Sequence, residues 1–148
     1  MENKKLLKTF TFLSGENQRF LLKLIGKNEH IIQWKYQKNQ RRIKYTCTEC
    51  ESEVRQISHF TECKKYKSDM LSFKLESTRI LYPEYFRDIM KDSNENLFMD
   101  VIGVVRYYPH LMLRIKNKEQ KIEWSLAVGG LLSLWHNFID TQIKGEES

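Results

Sequence analysis

The stretch CTEC at residues 47–50, followed by His59 and Cys63, places three thiols and one imidazole in the order C-x2-C-x8-H-x3-C. Two cysteines separated by two residues can turn toward one point from a tight turn. A His and a Cys four residues apart lie on the same face of one helical turn. Three sulfurs and one imidazole nitrogen suit a closed, tetrahedral structural zinc site. The predicted zinc ligands are therefore Cys47, Cys50, His59 and Cys63.

All three cysteines of the 148-residue chain belong to this motif. An odd number of cysteines argues against a disulfide framework, and the sequence shows no signal peptide. A reducing intracellular compartment, such as the nucleus, is therefore expected. Two other interpretations stay open: a chance C-x-x-C pair beside a surface helix, or a redox dithiol, although nothing nearby resembles a thioredoxin βαβ unit. Because no fifth ligand candidate lies close by, the zinc is expected to be structural rather than catalytic.

The net charge of +6 is concentrated in the N-terminal part of the chain. Residues 1–67 hold 15 Lys and Arg against 7 Asp and Glu, whereas residues 68–148 hold 10 against 12. This asymmetry predicts a basic, polyanion-binding zinc module at 1–67 joined to a mostly helical packing or partner-binding region at 68–148. The alternative is that the cations only keep a small domain soluble. No apolar run approaches the roughly 18 residues of a membrane span, so no membrane contact is expected.

The N-terminal part carries short apolar runs that favour β-strands. Turn signals separate four such runs, which cover residues 6–13, 19–25, 30–37 and 41–47. After the CTEC turn, Ser52 is the predicted N-cap of a helix that presents His59 and Cys63 to the metal. The predicted fold class is α+β: a small antiparallel sheet plus a helix around a structural zinc, followed by a helical C-terminal part.

The C-terminal part shows helical periodicity. Helices are predicted over 83–91 and over 94–107, the second of which ends just before Pro109. The longest periodic segment covers 119–144 and carries a broad apolar stripe. This stripe either docks onto the predicted sheet or, over 119–143, forms a surface for a protein partner or for self-association.

The residues just before the CTEC turn combine cations, amides and aromatic rings. Five Lys and Arg residues fall within positions 35–44, with Gln and Asn at the turn between two predicted strands. Lys and Arg neutralise phosphates, Arg, Asn and Gln can read base edges, and a two-stranded ribbon fits the DNA major groove. The predicted contacts to nucleic acid, to DNA more than to RNA, are Lys35, Lys38, Gln40, Arg41, Arg42, Lys44, Lys64 and Lys65. The alternative is that Trp34 and Tyr45 belong to the core and the cations form a solvated strand edge.

Several short stretches within residues 10–63 resemble known zinc fingers. The CTEC turn followed by His-x3-Cys is similar to short C2HC zinc fingers, and also to the ubiquitin-binding C2HC fingers, whose spacer is longer. Trp34 and the stretches Phe12–Gly15, Phe20–Leu22 and Tyr45–Cys47 resemble FLYWCH-type and, more distantly, BED-type DNA-binding fingers. FLYWCH fingers end in His-x-His and BED fingers have a longer spacer, so both likenesses are partial. The resemblance implies a structural zinc and binding to DNA.

The sequence contains no catalytic constellation of a familiar kind, such as a Ser/His/Asp pattern, a Gly-rich phosphate loop or His-Glu-x-x-His. His30, His110 and His136 have no partner at ligand spacing and are interpreted as ordinary histidines. No catalytic residue is therefore assigned, and the protein is not expected to be an enzyme. The sequence predicts a zinc-finger nucleic-acid-binding protein, a DNA-binding regulatory factor. The alternative is a protein-interaction adaptor that binds a partner or ubiquitin and uses a helical dimerisation or docking region.

Overall fold

The computed structural model describes residues 2–31, 34, 43–84 and 100–147. Within them the chain is mostly helical. The helices are α1 Glu2–Thr9, α2 Gly15–Ile25, α3 His59–Glu62, α4 Lys67–Leu81, α5 Val101–Arg106, α6 Tyr108–Arg114 and α7 Lys118–Thr141, with short 3-10 helices at Phe10–Phe12 and Lys64–Tyr66. Two strands, β1 Ile43–Cys47 and β2 Ile143–Glu147, pair antiparallel, with Cys47 opposite Ile143.

The first two predicted strands, at 6–13 and 19–25, are wrong because α1 and the 3-10 helix Phe10–Phe12 cover most of the first and α2 covers the second. The hydroxyl of Ser14 accepts a hydrogen bond from the backbone N–H of Asn17 at 3.2 Å and so caps the first turn of α2. A short apolar run can form either a buried strand or part of a core-facing helix, and its composition does not distinguish the two. The cap at Ser14 is the local signal that favours the helix.

The predicted N-terminal meander is not confirmed. The strand expected at 30–37 lies mostly outside the described residues, because positions 32–33 and 35–42 are not among them. The last predicted strand is present as β1, but its partner is β2 from the other end of the chain. A single residue, Gln142, separates α7 from β2, so the end of the long helix brings β2 directly to β1.

Helix α7 is the centre of the hydrophobic core. It packs against α2, α4, α6 and β2. Its apolar stripe is buried, and the buried residues are Trp124, Val128, Leu131, Leu132, Trp135, Phe138 and Ile139. The stripe therefore docks within the chain, as one interpretation predicted, but mainly onto other helices.

Hydrogen bonds join the N-terminal elements to the C-terminal helices. The amide of Asn17 donates to the carbonyl of Gly129 at 3.2 Å, and the buried hydroxyl of Tyr108 donates to the carbonyl of Thr9 at 2.7 Å. The guanidinium of Arg106 donates to the carbonyl of Leu24 at 2.8 Å. The division of the chain into units 1–67 and 68–148 stays a prediction, and these bonds cross its boundary.

The described C-terminal part is mostly helical, as predicted, but α4 and α6 were not predicted. The helix predicted over 119–144 ends at Thr141, because Ile143 and Lys144 lie in β2. Helix α5 ends at Arg106, and Pro109 lies in the first turn of α6, where its missing N–H costs nothing. The helix predicted at 83–91 and the start of the one at 94–107 fall largely on residues 85–99, outside the described residues. None of the described helices is both long and apolar enough to cross a membrane.

Candidate metal centre

The four predicted ligand side chains lie together in space. One ligand atom from each of Cys47, Cys50, His59 and Cys63 falls within 4.8 Å of the others. The Sγ atom of Cys63 is 3.6 Å from that of Cys50 and 3.9 Å from that of Cys47. All three cysteines are free thiols, so no disulfide competes for the sulfurs.

The first pair of ligands is held by a turn at the end of β1. The backbone N–H of Glu51 donates to the carbonyl of Cys47 at 2.9 Å, and the N–H of Cys47 donates to the carbonyl of Ser52 at 3.0 Å. Glu51 adopts a left-handed conformation with φ of 56°, which reverses the chain directly after Cys50. The turn thereby directs both thiols toward the same point.

The second pair of ligands is held by one helical turn, as the spacing predicted. Helix α3 begins at His59, and the N–H of Cys63 donates to the carbonyl of His59 at 2.9 Å. The longer helix predicted from an N-cap at Ser52 is wrong. The segment before α3 runs beside β1 instead, since the N–H of Val54 donates to the carbonyl of Tyr45 at 2.7 Å.

The centre is closed on most sides. Cys47 and Cys63 are buried, and Cys50 is half-buried. Burial, together with the hydrogen bond to Cys50 and the nearby Cys47 thiol, raises the pKa of the Cys63 thiol to about 11. Burial also lowers the pKa of His59, which keeps its imidazole in the neutral form that binds metals.

His59 supplies a direct test of whether the site fits a metal. Its Nε2 atom is buried and has no hydrogen-bond partner among the described residues. A buried nitrogen without a partner costs free energy, and a metal bond removes that cost. Three thiols and this nitrogen, with no disulfide, form a set of donors that can hold one metal ion. Comparison of the chain with protein-family models, with curated proteins and with solved structures finds no match.

The C-terminal end of the chain contributes neighbours to this centre that spacing rules do not reveal. The ring of Phe138 in α7 stacks on the imidazole of His59 with 5.9 Å between ring centroids. Thr48, in the CTEC turn, donates its backbone N–H to the carbonyl of Gln142 at 2.9 Å. Both contacts join residues about 80 to 95 positions apart. The only signal in the sequence is the apolar stripe that places Phe138 on the buried face of α7.

The predicted nucleic-acid contacts are only partly described. Lys35, Lys38, Gln40, Arg41 and Arg42 lie outside the described residues. Lys44 lies in β1 in register with Glu146 of β2. Lys64 and Lys65 are exposed and follow Cys63 directly, and the amine of Lys65 is 4.0 Å from the carboxylate of Glu49. Two cations therefore flank the metal centre, and the grouping of all eight residues stays a prediction.

The aromatic residues near the basic stretch belong to the core, as the alternative interpretation held. Tyr45 is buried. Trp34 is half-buried, its ring centroid lies 4.1 Å from that of Phe20, and its indole N–H donates to the carbonyl of Asn28. These rings are therefore committed to packing rather than free to stack on bases.

The histidines outside the motif do not join the metal centre. His136 contacts the carboxylate of Glu16, and its Nε2 atom is 3.6 Å from a carboxylate oxygen of Asp140. His30 is exposed, and its backbone forms an isolated bridge with Gln56. Among the described residues, the group that could hold a metal ion consists of Cys47, Cys50, His59 and Cys63.

Proposed function

We propose that the chain is a zinc-dependent nucleic-acid-binding protein that contacts DNA, in preference to RNA, through its basic stretch at 35–44. The observation that carries the proposal is the cluster of four ligand atoms within 4.8 Å at the end of β1. Strand β1 begins at Ile43, directly after the cations at 41 and 42, and ends at the ligand Cys47. A metal at this position therefore anchors one end of the basic stretch.

Zinc is the ion that this donor set favours. Three thiolates and one imidazole suit a four-coordinate structural site, whereas hard ions such as Mg²⁺ and Ca²⁺ prefer oxygen ligands. Most of the ligand atoms are buried, so the set leaves little room for a substrate. The zinc would then be structural, and its binding free energy would contribute to folding.

Nucleic-acid binding is supported by the distribution of charge. Residues 1–67 hold 15 Lys and Arg against 7 Asp and Glu, an excess that attracts polyanions. Lys64 and Lys65 are exposed beside the metal centre, where they could extend the contact begun by the basic stretch. A DNA-binding role of this kind implies a nuclear or other intracellular location.

The test measures the binding of the zinc-loaded full chain to labelled random duplex DNA, and to RNA of the same sequence, over a range of salt concentrations. We expect binding that weakens steeply with salt. The double variant Arg41→Ala/Arg42→Ala should flatten the slope of log K against log salt by about 1.8, because two phosphate contacts are lost. Arg19→Ala, which removes an exposed cation from α2, is the matched control and should leave the slope unchanged. Salt-independent binding, or no binding at all, would refute the proposal.

A protein-interaction adaptor is the second candidate function, and exposed apolar side chains on α7 favour it. Leu126 is 68% exposed and Ile122 is 41% exposed, and both lie outside the buried apolar stripe of α7. Both residues fall within 119–143, the segment predicted to bind a partner or a second copy. Sedimentation of the zinc-loaded chain tests self-association: a dimer that Leu126→Glu converts to a monomer would support it, and a monomer at every concentration would refute it.

A further inference from the structure

A second basic site lies at the far end of α7 from the metal centre. The C-terminal ends of α4 and α6 meet the N-terminal end of α7 around an open cavity of about 250 Å³. Its lining includes an aromatic ring, two cations and an amide, from Tyr82, Arg114, Lys116 and Gln120. The 18 residues from Gln120 to Phe138 place this cavity about 27 Å along the helix from the metal centre.

Among the described residues, the cations at this cavity have no acidic partner. Arg114 and Lys116 are exposed, and no ion pair joins either of them to another residue in the described parts of the chain. The other two described arginines of the C-terminal helices differ, since Arg79 pairs with two glutamates and Arg106 pairs with Glu29 at 2.5 Å. Free cations at a concave surface attract anionic ligands.

The floor and rim of the cavity are apolar and aromatic. Ile80, Leu81 and Leu111 line it beside the cations. Tyr82 follows the last residue of α4 and is 51% exposed among the described residues. Proteins that bind single-stranded nucleic acids combine exposed aromatic rings, on which the bases stack, with Lys and Arg side chains that hold the phosphates.

We propose that this cavity binds a nucleotide of a single-stranded nucleic acid, with its base stacked on Tyr82 and the adjoining phosphates held by Arg114 and Lys116. The volume of about 250 Å³ is just below the roughly 300 to 1,000 Å³ of sites for whole small ligands, which suits one unit of a longer strand. A duplex hides its base faces, so a concave site with an exposed ring selects unpaired bases. The inference rests on the proposed nucleic-acid binding and adds a second contact to it.

The experiment measures the affinity of the zinc-loaded full chain for a labelled 20-nucleotide single strand, at several salt concentrations. Tyr82→Ala should weaken binding by about 5-fold to 100-fold without changing the salt slope, because stacking releases no counterions. Tyr82→Phe keeps the ring and is the matched control. Arg114→Ala/Lys116→Ala should flatten the salt slope by about 1.4. All these side chains are on the surface, and far-UV circular dichroism checks that each variant is folded.

The results separate this inference from the proposed function. If Arg41→Ala/Arg42→Ala weakens binding but the Tyr82 and Arg114/Lys116 variants do not, the cavity is not a nucleic-acid site and the proposed function stands. If Tyr82→Ala behaves like Tyr82→Phe while the double variant flattens the slope, the cations attract phosphate without a base in the cavity, and the inference fails. If the unmodified chain binds duplex DNA but no single strand, the inference fails and the proposed function stands, whereas binding to neither refutes both.

Discussion

His59 shows how a single residue links the predicted motif to the rest of the protein. Its Nε2 atom is buried without a hydrogen-bond partner among the described residues, and its ring stacks on Phe138. We expect His59→Ala to lower the affinity for zinc by more than about 100-fold, since even residues that only support ligands contribute 10- to 100-fold. His59→Cys restores four donor atoms and should retain most of the affinity. Competition with a chelator measures the zinc affinity of both variants. If His59→Ala binds zinc as tightly as the unmodified protein, His59 is not a ligand.

Cys63 predicts how metal binding depends on pH. Burial raises the pKa of its thiol to about 11, so at neutral pH the metal-free site holds this group protonated. A zinc ion would bind the thiolate and displace that proton, so the affinity should rise with pH. The Cys63 proton alone contributes about one unit of log K per pH unit below pH 11. His59, whose pKa is lowered by burial, adds no such dependence near pH 8. Chelator competition at pH 6.5, 7.5 and 8.5 measures the slope, and a flat profile would contradict the expectation.

The ligand set is the part of the site that could be predicted from the sequence, because its geometry is local. A C-x-x-C turn and an i, i+4 pair each bring two side chains together through only a few residues of backbone. The structure places both pairs side by side, as expected. The ring of Phe138 could not be predicted in the same way. Its position depends on how α7 crosses the chain, which no spacing near residue 59 encodes.

Strand β2 is the element that supports the metal centre from outside the motif. Ile143 lies opposite Cys47 in the strand register and is buried. We expect Ile143→Ala to destabilise the zinc-loaded protein by about 2 to 4 kcal/mol, the usual cost of a cavity at a buried aliphatic position. Ile122→Ala, which removes the same atoms from an exposed site on α7, should cost less than about 1 kcal/mol. Urea unfolding measures the loss of stability in each variant, and equal losses would show that β2 contributes little to the stability of the metal centre.

At the scale of elements, α7 is the helix that the sequence predicts best. The stripe on α7 repeats over 24 residues, a length at which helical periodicity cannot be mistaken for alternation. The runs at 6–13 and 19–25 are too short to distinguish the two, and their helices are stabilised by tertiary contacts such as the bond from Asn17 to Gly129. The partner of β1 was unpredictable for a different reason. Strand pairing between the middle and the end of the chain leaves no local mark in the sequence.

At the scale of the whole molecule, an aromatic cluster connects the metal centre to the core. Phe60, next to His59, contacts Trp135 with ring centroids 5.1 Å apart and Phe138 at 5.4 Å. Tyr66, just after Cys63, contacts Phe138 at 5.5 Å. The ligands therefore sit on residues whose packing partners belong to α7. Removal of a bound metal should therefore destabilise the C-terminal helices as well as the CTEC turn.

This arrangement gives a prediction for the fragment 1–67, which contains all four ligands. The fragment lacks Phe138, which stacks on His59, and Ile143, which pairs with Cys47. We expect it to remain largely unfolded with zinc present, because the aromatic and strand contacts that bury the ligands are missing. The full chain, with zinc removed by a chelator, should lose helical signal together with its metal. Circular dichroism and amide NMR spectra of the fragment, with and without zinc, provide the measurement. A dispersed spectrum from zinc-bound 1–67 would contradict this expectation. It would show that the basic module folds without residues 68–148, as a separate unit would.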